Sequence, residues 1–151
     1  MMNRPGADAG LDARLRTMRF LWAMFLVTIG LFVLVSRLAR PDDEQVARLG
    51  GGDPTLLLVL AALALSSVVA SFALKASFYR RAADARQPAQ LQTGFIVAMA
   101  LCESAAILGF VGLFITWNDY AYLLFALGAL GEALHFPRRG QVEAASRKSL
   151  T

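Results

Sequence analysis

The chain contains few of the residues on which disulfide frameworks and metal sites depend. Its 151 residues include one cysteine and one histidine. One cysteine excludes an intrachain disulfide framework, and one of each excludes a zinc site built from Cys and His ligands. The sequence also has no phosphate-binding loop, nucleophile–base arrangement or cluster of metal ligands. We therefore expect a protein that is not an enzyme and that needs no cofactor and no metal.

Charged residues are sparse within the apolar segments. Hydrophobic residues make up 57% of the chain, and the mean hydropathy is +0.53. A soluble domain of this size could not bury so much apolar surface, so the composition indicates a polytopic membrane protein whose main partner is the lipid bilayer. The formal charge of +4 could suggest nucleic acid as a partner. However, the basic residues lie at the ends of the apolar segments, where they act as topology signals, so no nucleic acid is expected.

The apolar segments predict an all-α fold with four transmembrane helices. Residues 1–19 form an N-terminal segment whose apolar positions recur at helical spacing between arginines, which predicts an amphipathic helix at the headgroup level. The predicted four-helix domain covers residues 20–136, and residues 137–151 form a polar tail. The predicted spans are 20–38, 55–75, 91–117 and 120–136. Asp53 and Pro54 indicate the start of the second span, after a loop rich in helix breakers and acids.

The distribution of Lys and Arg predicts the orientation. Twelve of these residues fall in the N-terminal segment, in the loop between the second and third spans, or in the tail, and three fall in the first loop. The positive-inside rule therefore places both termini and the second loop in the cytoplasm of a cell whose inner (plasma) membrane holds the protein.

Glu103 is an isolated carboxylate within the third span. It lies about twelve residues after Leu91, or roughly 18 Å along a helix, close to the middle of a hydrocarbon layer about 30 Å thick. An ionisable group at that depth costs at least about 2.5 kcal/mol and usually faces protein or a water-filled path. Reflection of the sequence through a turn near Ala85 places Ser66 and Ser67 of the second span at the same depth. These hydroxyls and Ser104 are the predicted hydrogen-bond partners of Glu103.

Two interpretations of Glu103 stay open at this point. Hydroxyl partners in place of a cation favour the neutral acid, because an apolar environment disfavours the charged form. If the neutral acid can release its proton to water, it is a proton carrier. If it never meets water, it is a polar packing contact worth roughly 1 kcal/mol. Small residues at four-residue spacing, such as Ala105 and Gly109, predict close helix packing within one bundle or between copies of the chain.

Two further ionisable residues, Glu132 and His135, lie near the cytoplasmic end of the fourth span. We expect Glu132 to reach the interface or to pair with Arg138 or Arg139. His135 is expected to be an interfacial side chain.

The stretch from Ala85 to Gly112 resembles the hairpin of the rotary ATP synthase c subunit, the ring-forming proteolipid. In that family a cytoplasmic Arg-Gln-Pro turn precedes a Thr, an apolar run and an essential acid in the middle of the membrane. The matching residues here are Arg86-Gln87-Pro88, Thr93 and Glu103, and Ser104 follows the acid as in sodium-binding members. The resemblance implies that Glu103 binds a proton or sodium ion. It also implies that Arg86, Gln87 and Pro88 contact a partner at the cytoplasmic turn.

Two hypotheses for function follow. The first is a small integral inner-membrane protein with a c-like hairpin, in which Glu103 is a buried protonatable site for proton translocation or for an accessory role related to that family. The alternative is a non-catalytic structural or assembly protein, in which Glu103 is a packing or partner-binding group. Both leave room for a homo-oligomer or a membrane-protein partner. A water-accessible Glu103 favours the first hypothesis, and a Glu103→Gln variant that assembles normally favours the second.

Overall fold

The computed structural model describes residues 5–48, 54–84 and 89–140, and these residues form helices without any strand. The helices are α1 (Pro5–Leu38), α2 (Asp43–Arg48), α3 (Pro54–Asp84), α4 (Ala89–Thr116) and α5 (Tyr122–Leu134). A short 3-10 turn, Asp119–Ala121, leads into α5. The predicted cap at Asp53 and the Arg86-Gln87-Pro88 turn lie outside the described residues.

Three of these helices, α1, α3 and α4, are long and apolar enough to cross a membrane. The fourth, α5, has 13 residues, or about 20 Å at 1.5 Å per residue. Its regular part is shorter than the predicted 120–136 span because the 3-10 turn occupies the start and because His135 leaves helical geometry at the end, with φ −87° and ψ 7°. The fold class predicted from sequence, an all-α membrane protein with four main helices, is confirmed.

Two helix boundaries differ from the expectation. The predicted N-terminal amphipathic helix and the first span form one continuous helix, α1. Between Pro5 and the end of this helix at Leu38 the sequence has no further proline that would interrupt it. The predicted first loop contains the one-and-a-half-turn helix α2. Asp42 begins α2 because its carboxylate accepts a hydrogen bond from the backbone N–H of Gln45 at 2.8 Å, which satisfies an N–H that the helix cannot.

Helix α4 is the centre of the bundle and contacts α1, α3 and α5. It forms an antiparallel hairpin with α3, and α5 packs against both. Their shared core consists of apolar side chains from all three helices, among them Leu57, Leu60, Ala64, Val68, Ala105, Leu113 and Leu124. The backbones of α4 and α5 approach closely at Gly128, where a Cβ would lie 2.8 Å from the carbonyl oxygen of Cys102. Only glycine fits at such a distance.

Helix α1 packs against the bundle along one face. Its N-terminal half places Leu15 and Met18 against Phe95 and Met99 of α4, and Ile29 extends the contact further along the helix. The opposite face of α1 is exposed and carries large apolar side chains, including Phe20, Val27, Leu31 and Leu34. In a membrane protein such a face meets lipid.

Ion pairs at the two ends of the bundle fix the relative directions of the helices. At one end Arg40, after α1, pairs with Asp119, before α5. At the other end Asp12 of α1 lies 3.6 Å from Arg139, after α5. The N-terminus of α1, the α3–α4 connection and the C-terminus of α5 therefore share one end of the bundle. This agrees with the predicted up-and-down order, while the side of the membrane that each end faces stays a prediction.

Candidate functional site

Glu103 lies near the middle of the 28-residue α4 and is half-buried. It shares a face of the helix with Ile96, Ile107 and Val111, which are exposed apolar side chains at helical spacing. On the other side of Glu103, Met99 is buried against α1. Glu103 therefore lies where the outward face of α4 borders α1, at mid-helix depth.

Two of the hydroxyls predicted beside Glu103 donate hydrogen bonds within their own helices. Ser66 donates a hydrogen bond to the carbonyl oxygen of Ala62 at 2.7 Å, and Ser104 donates to that of Leu101 at 2.7 Å. Ser66 is exposed and Ser67 is half-buried. Within the described parts of the chain, none of the three forms a hydrogen bond with Glu103. Their role as ion ligands stays a prediction.

The register of the hairpin explains this placement. Ser71 of α3 lies 3.4 Å from the Cys102 sulfur, and a Cβ on Gly94 would collide with Phe78. These contacts centre the hairpin near residue 86 rather than at Ala85. Because each one-residue shift of the centre moves the facing partner by two, the position of α3 that faces Glu103 is near residue 69 or 70, between Ser67 and Ser71.

A second group of polar side chains lies inside the bundle. It consists of Ser71 of α3, Cys102 of α4 and His135 after α5, all of which are buried. Ser71 Oγ lies 2.8 Å from His135 Nε2 and 2.6 Å from the carbonyl oxygen of Val68. Together with the 3.4 Å contact between Ser71 Oγ and the Cys102 sulfur, the contact with His135 joins α3 to α4 and to the residue after α5. We call Ser71, Lys75, Cys102 and His135 the interior cluster.

The hydrogen bonds of the interior cluster determine the tautomer of His135. A serine hydroxyl has one proton, and at 2.6 Å Ser71 donates it to the Val68 carbonyl oxygen. His135 Nε2 is therefore the donor to Ser71 Oγ, which leaves Nδ1 as an acceptor. Lys75 Nζ lies 3.4 Å from this Nδ1 and 3.4 Å from the His135 carbonyl oxygen, so the ammonium donates to both. This arrangement fits a neutral imidazole.

The expectation for Glu132 and His135 was wrong. Glu132 is not at the interface: it has 0% of its surface exposed, and neither carboxylate oxygen has a hydrogen-bond partner. Its predicted cationic partner Arg139 lies beside Asp12 instead, and Arg138 is exposed. His135 is likewise 1% exposed. The Glu132 side chain is enclosed by the bundle, whereas Arg138 and Arg139, which follow Pro137, are exposed.

Sequence reasoning missed the interior cluster because its members are far apart in the chain. One signal of buried polar groups at this end of the fourth span was available: Glu132 and His135 are three residues apart, a spacing that places two side chains on the same side of a predicted helix. Lys75 is the last residue of the predicted second span and is among the basic residues counted with the loop that follows it, but it is half-buried within α3. Within the described ranges, no group of three or more His, Cys, Asp or Glu side chains could hold a metal ion.

Together the fold and the position of Glu103 define a multi-pass membrane protein with an acid at the middle of one hairpin helix. Comparison with known families then shows what this hairpin is similar to. Residues 57–116 match the ATP synthase c-subunit family. The match covers most of α3 and all of α4, including Glu103, and leaves out α1 and α5. No curated protein matches the chain, and no solved structure does. The chain is therefore similar to that family over its central hairpin.

Proposed function

We propose that this protein binds and releases a proton at Glu103 within the membrane, as an ion-carrying or accessory protein similar to the ATP synthase c subunit. The observation that carries the proposal is the position of Glu103. It is an acid at the midpoint of α4, on the outward face of the hairpin, and it lies inside the segment that matches the c-subunit family.

The surroundings of Glu103 favour the neutral acid in the resting protein. Apolar side chains lie before and after it on the same face, including Ile96 and Ile107. Among the described residues no cation forms an ion pair with it. An ionised carboxylate is costly in such a place, so the proton is bound at rest and leaves when water or a partner cation reaches Glu103.

Ser104, Ser66 and Ser67 are proposed as auxiliary ligands. Each hydroxyl oxygen retains lone pairs after donating its proton, so Ser104 can accept a hydrogen bond from a protonated Glu103 while it donates to Leu101. Ser66 and Ser67 would require a change in the relative position of α3 and α4, or another copy of the chain. Arg86, Gln87 and Pro88 are proposed as the contact with a partner at the connection between the two helices.

A second candidate is a structural or assembly role without ion transport. The contacts of α1 and α5 favour it, because these helices cover two sides of α4 and leave Glu103 at the border with α1. In this role Glu103 would bind a partner helix as a neutral hydrogen-bond donor. Neither candidate involves catalysis, and both place the protein in the inner membrane with its termini in the cytoplasm.

The test of the proposal is a proton count on the full-length protein in lipid nanodiscs. The protein is titrated from about pH 6 to about pH 9, a range in which an ordinary exposed Glu, with a pKa of about 4.3, stays ionised. We expect the wild type to release up to one proton per chain more than Glu103→Gln. Glu44→Gln, which changes an exposed acid, is the control and should match the wild type.

Equal proton release by the wild type and Glu103→Gln would refute the proposal, provided that both proteins are folded. The structural candidate would then account for Glu103. A dependence of the wild-type release on sodium concentration would identify sodium as a competing ion at Glu103.

A further inference from the structure

Glu132 is the most isolated ionisable side chain among the described residues of the bundle. It is fully buried, and both of its carboxylate oxygens lack a hydrogen-bond partner. Buried polar groups nearly always have such partners, and a buried carboxylate is almost always paired. The indole of Trp22 approaches from α1, but it donates to the backbone carbonyl oxygen of Glu132 at 2.8 Å and not to the carboxyl group.

The charged groups around Glu132 are engaged elsewhere. Lys75 of α3 is directed to His135 and lies over the ring of Tyr79. Arg19 of α1 lies over the ring of Phe136. From α4, the nearest titratable group is the buried thiol of Cys102, whose sulfur would lie 2.8 Å from a Cβ at Gly131, and Glu103 is the one carboxyl group on that helix. None of the described cations forms an ion pair with the Glu132 carboxyl group, so its environment strongly disfavours the anion.

We propose that Glu132 is a second proton-binding carboxyl group, held as the neutral acid inside the bundle next to the interior cluster. This goes beyond the proposed function, because Glu132 can bind a proton whether or not Glu103 does. The chemistry is a single protonation: one carboxylate oxygen forms a bond to a proton from a hydronium ion, and the O–H bond that breaks leaves a water molecule. A metal cation fits this position less well, because hard cations require several oxygen donors and the Ser71 oxygen already accepts from His135 Nε2 and from the Cys102 thiol.

The polar contacts of the interior cluster run from a position beside Glu132 toward the end of the bundle where α3 ends and α4 begins. Lys75 is half-buried on that side. His135 links Lys75 to Ser71, and Ser71 contacts Cys102, whose sulfur would lie 2.8 Å from a Cβ at Gly131, the residue before Glu132. The described polar contacts therefore lead from a partly exposed lysine to Cys102, which lies beside the backbone of the segment that carries the buried acid.

The proposal is tested by infrared spectroscopy on the full-length Glu103→Gln protein in nanodiscs, prepared with ¹³C-labelled glutamate. The label separates Glu carboxyl groups from Asp groups, and the substitution removes the signal of Glu103. We expect a neutral Glu carboxyl band at about pH 7, where exposed Glu side chains are ionised. The band should shift on transfer to D₂O, because a bound proton that exchanges with water is replaced by deuterium.

Two variants assign the band. Both Glu103→Gln/Glu132→Gln and Glu103→Gln/Glu132→Asp should lose it, and the second keeps an acid in the interior if glutamine prevents folding. Absence of the band from folded Glu103→Gln protein would overturn the proposal. A band that does not shift in D₂O would also overturn it, because Glu132 would then be a sealed structural acid. Neither result alters the proton count at Glu103, so the two proposals fail separately.

Discussion

Glu103 and Glu132 have the same side chain but different surroundings, and the difference arises from the helix face on which each lies. Glu103 lies on the outward face of α4, half-buried beside exposed apolar residues. Glu132 points into the bundle and is fully buried. The sequence alone could predict the depth of Glu103 in the membrane, because that depth follows from a count of residues along one helix. The sequence alone could not predict that Glu132 is buried, because the face that α5 buries depends on the helices that pack against it.

The interior cluster makes a prediction about stability at the scale of single residues. In Ser71→Ala the buried His135 Nε2 loses its acceptor at 2.8 Å. A buried donor without a partner costs about 1–3 kcal/mol, so the free energy of unfolding should fall by about that amount. Detergent-induced unfolding of the reconstituted protein measures it.

Ser77→Ala is the matched control for Ser71→Ala. Ser77 is half-buried on the same helix, and the hydrogen bonds described for His135 and Cys102 do not involve it. The substitution should change the free energy of unfolding by less than about 0.5 kcal/mol. Equal losses in the two variants would contradict the assigned hydrogen bond between Ser71 and His135.

At the scale of helices, the number and order of the main elements could be predicted because long apolar runs require helices in a membrane. Sequence reasoning missed α2, where Asp42 caps a short helix inside a charged loop. It also divided α1 into two parts, because a change from charged to apolar residues looked like a boundary. The backbone has no reason to break there without a proline or a sharp turn.

The close approach of α4 and α5 makes a prediction for Gly128. In Gly128→Ala the added Cβ would lie 2.8 Å from the Cys102 carbonyl oxygen. Since backbone atoms cannot move aside as a flexible side chain can, we expect a loss of about 1–3 kcal/mol in the free energy of unfolding. Thermal unfolding in detergent micelles measures the change.

Gly30→Ala provides the comparison, because nothing lies within 4 Å of a Cβ at Gly30. Alanine favours helix over glycine by about 0.8–1.0 kcal/mol, so this variant should be neutral or slightly more stable. A Gly128→Ala variant as stable as Gly30→Ala would show that α5 does not pack on α4 as described.

At the scale of the whole molecule, the ion pairs and the hairpin place both ends of the described chain at the same end of the bundle. The charge count predicts that this end faces the cytoplasm. The test uses single cysteines in a Cys102→Ala background, at Arg81 and Gly140 for the predicted cytoplasmic end and at Asp119 for the opposite end. All three positions are exposed.

A membrane-impermeant thiol reagent added to intact cells should label Asp119→Cys only. Inverted membrane vesicles should give the opposite pattern, with Arg81→Cys and Gly140→Cys labelled. Labelling of Arg81→Cys and Gly140→Cys from different sides would contradict the fold itself. Labelling of both from outside the cell would preserve the fold and reverse the predicted orientation.

The most direct test of proton binding at Glu103 is carbodiimide labelling in membranes, located by mass spectrometry. An apolar carbodiimide modifies a protonated carboxyl group that it can reach from the lipid, so Glu103 on the outward face should react in preference to the buried Glu132. We expect labelling of Glu103 that falls between about pH 6 and about pH 9, as an acid that titrates in that range requires, and that is absent from Glu103→Gln. If Glu103 is not labelled, or if the extent of its labelling does not change with pH, then Glu103 is a sealed structural residue. It then carries no proton across or within the membrane.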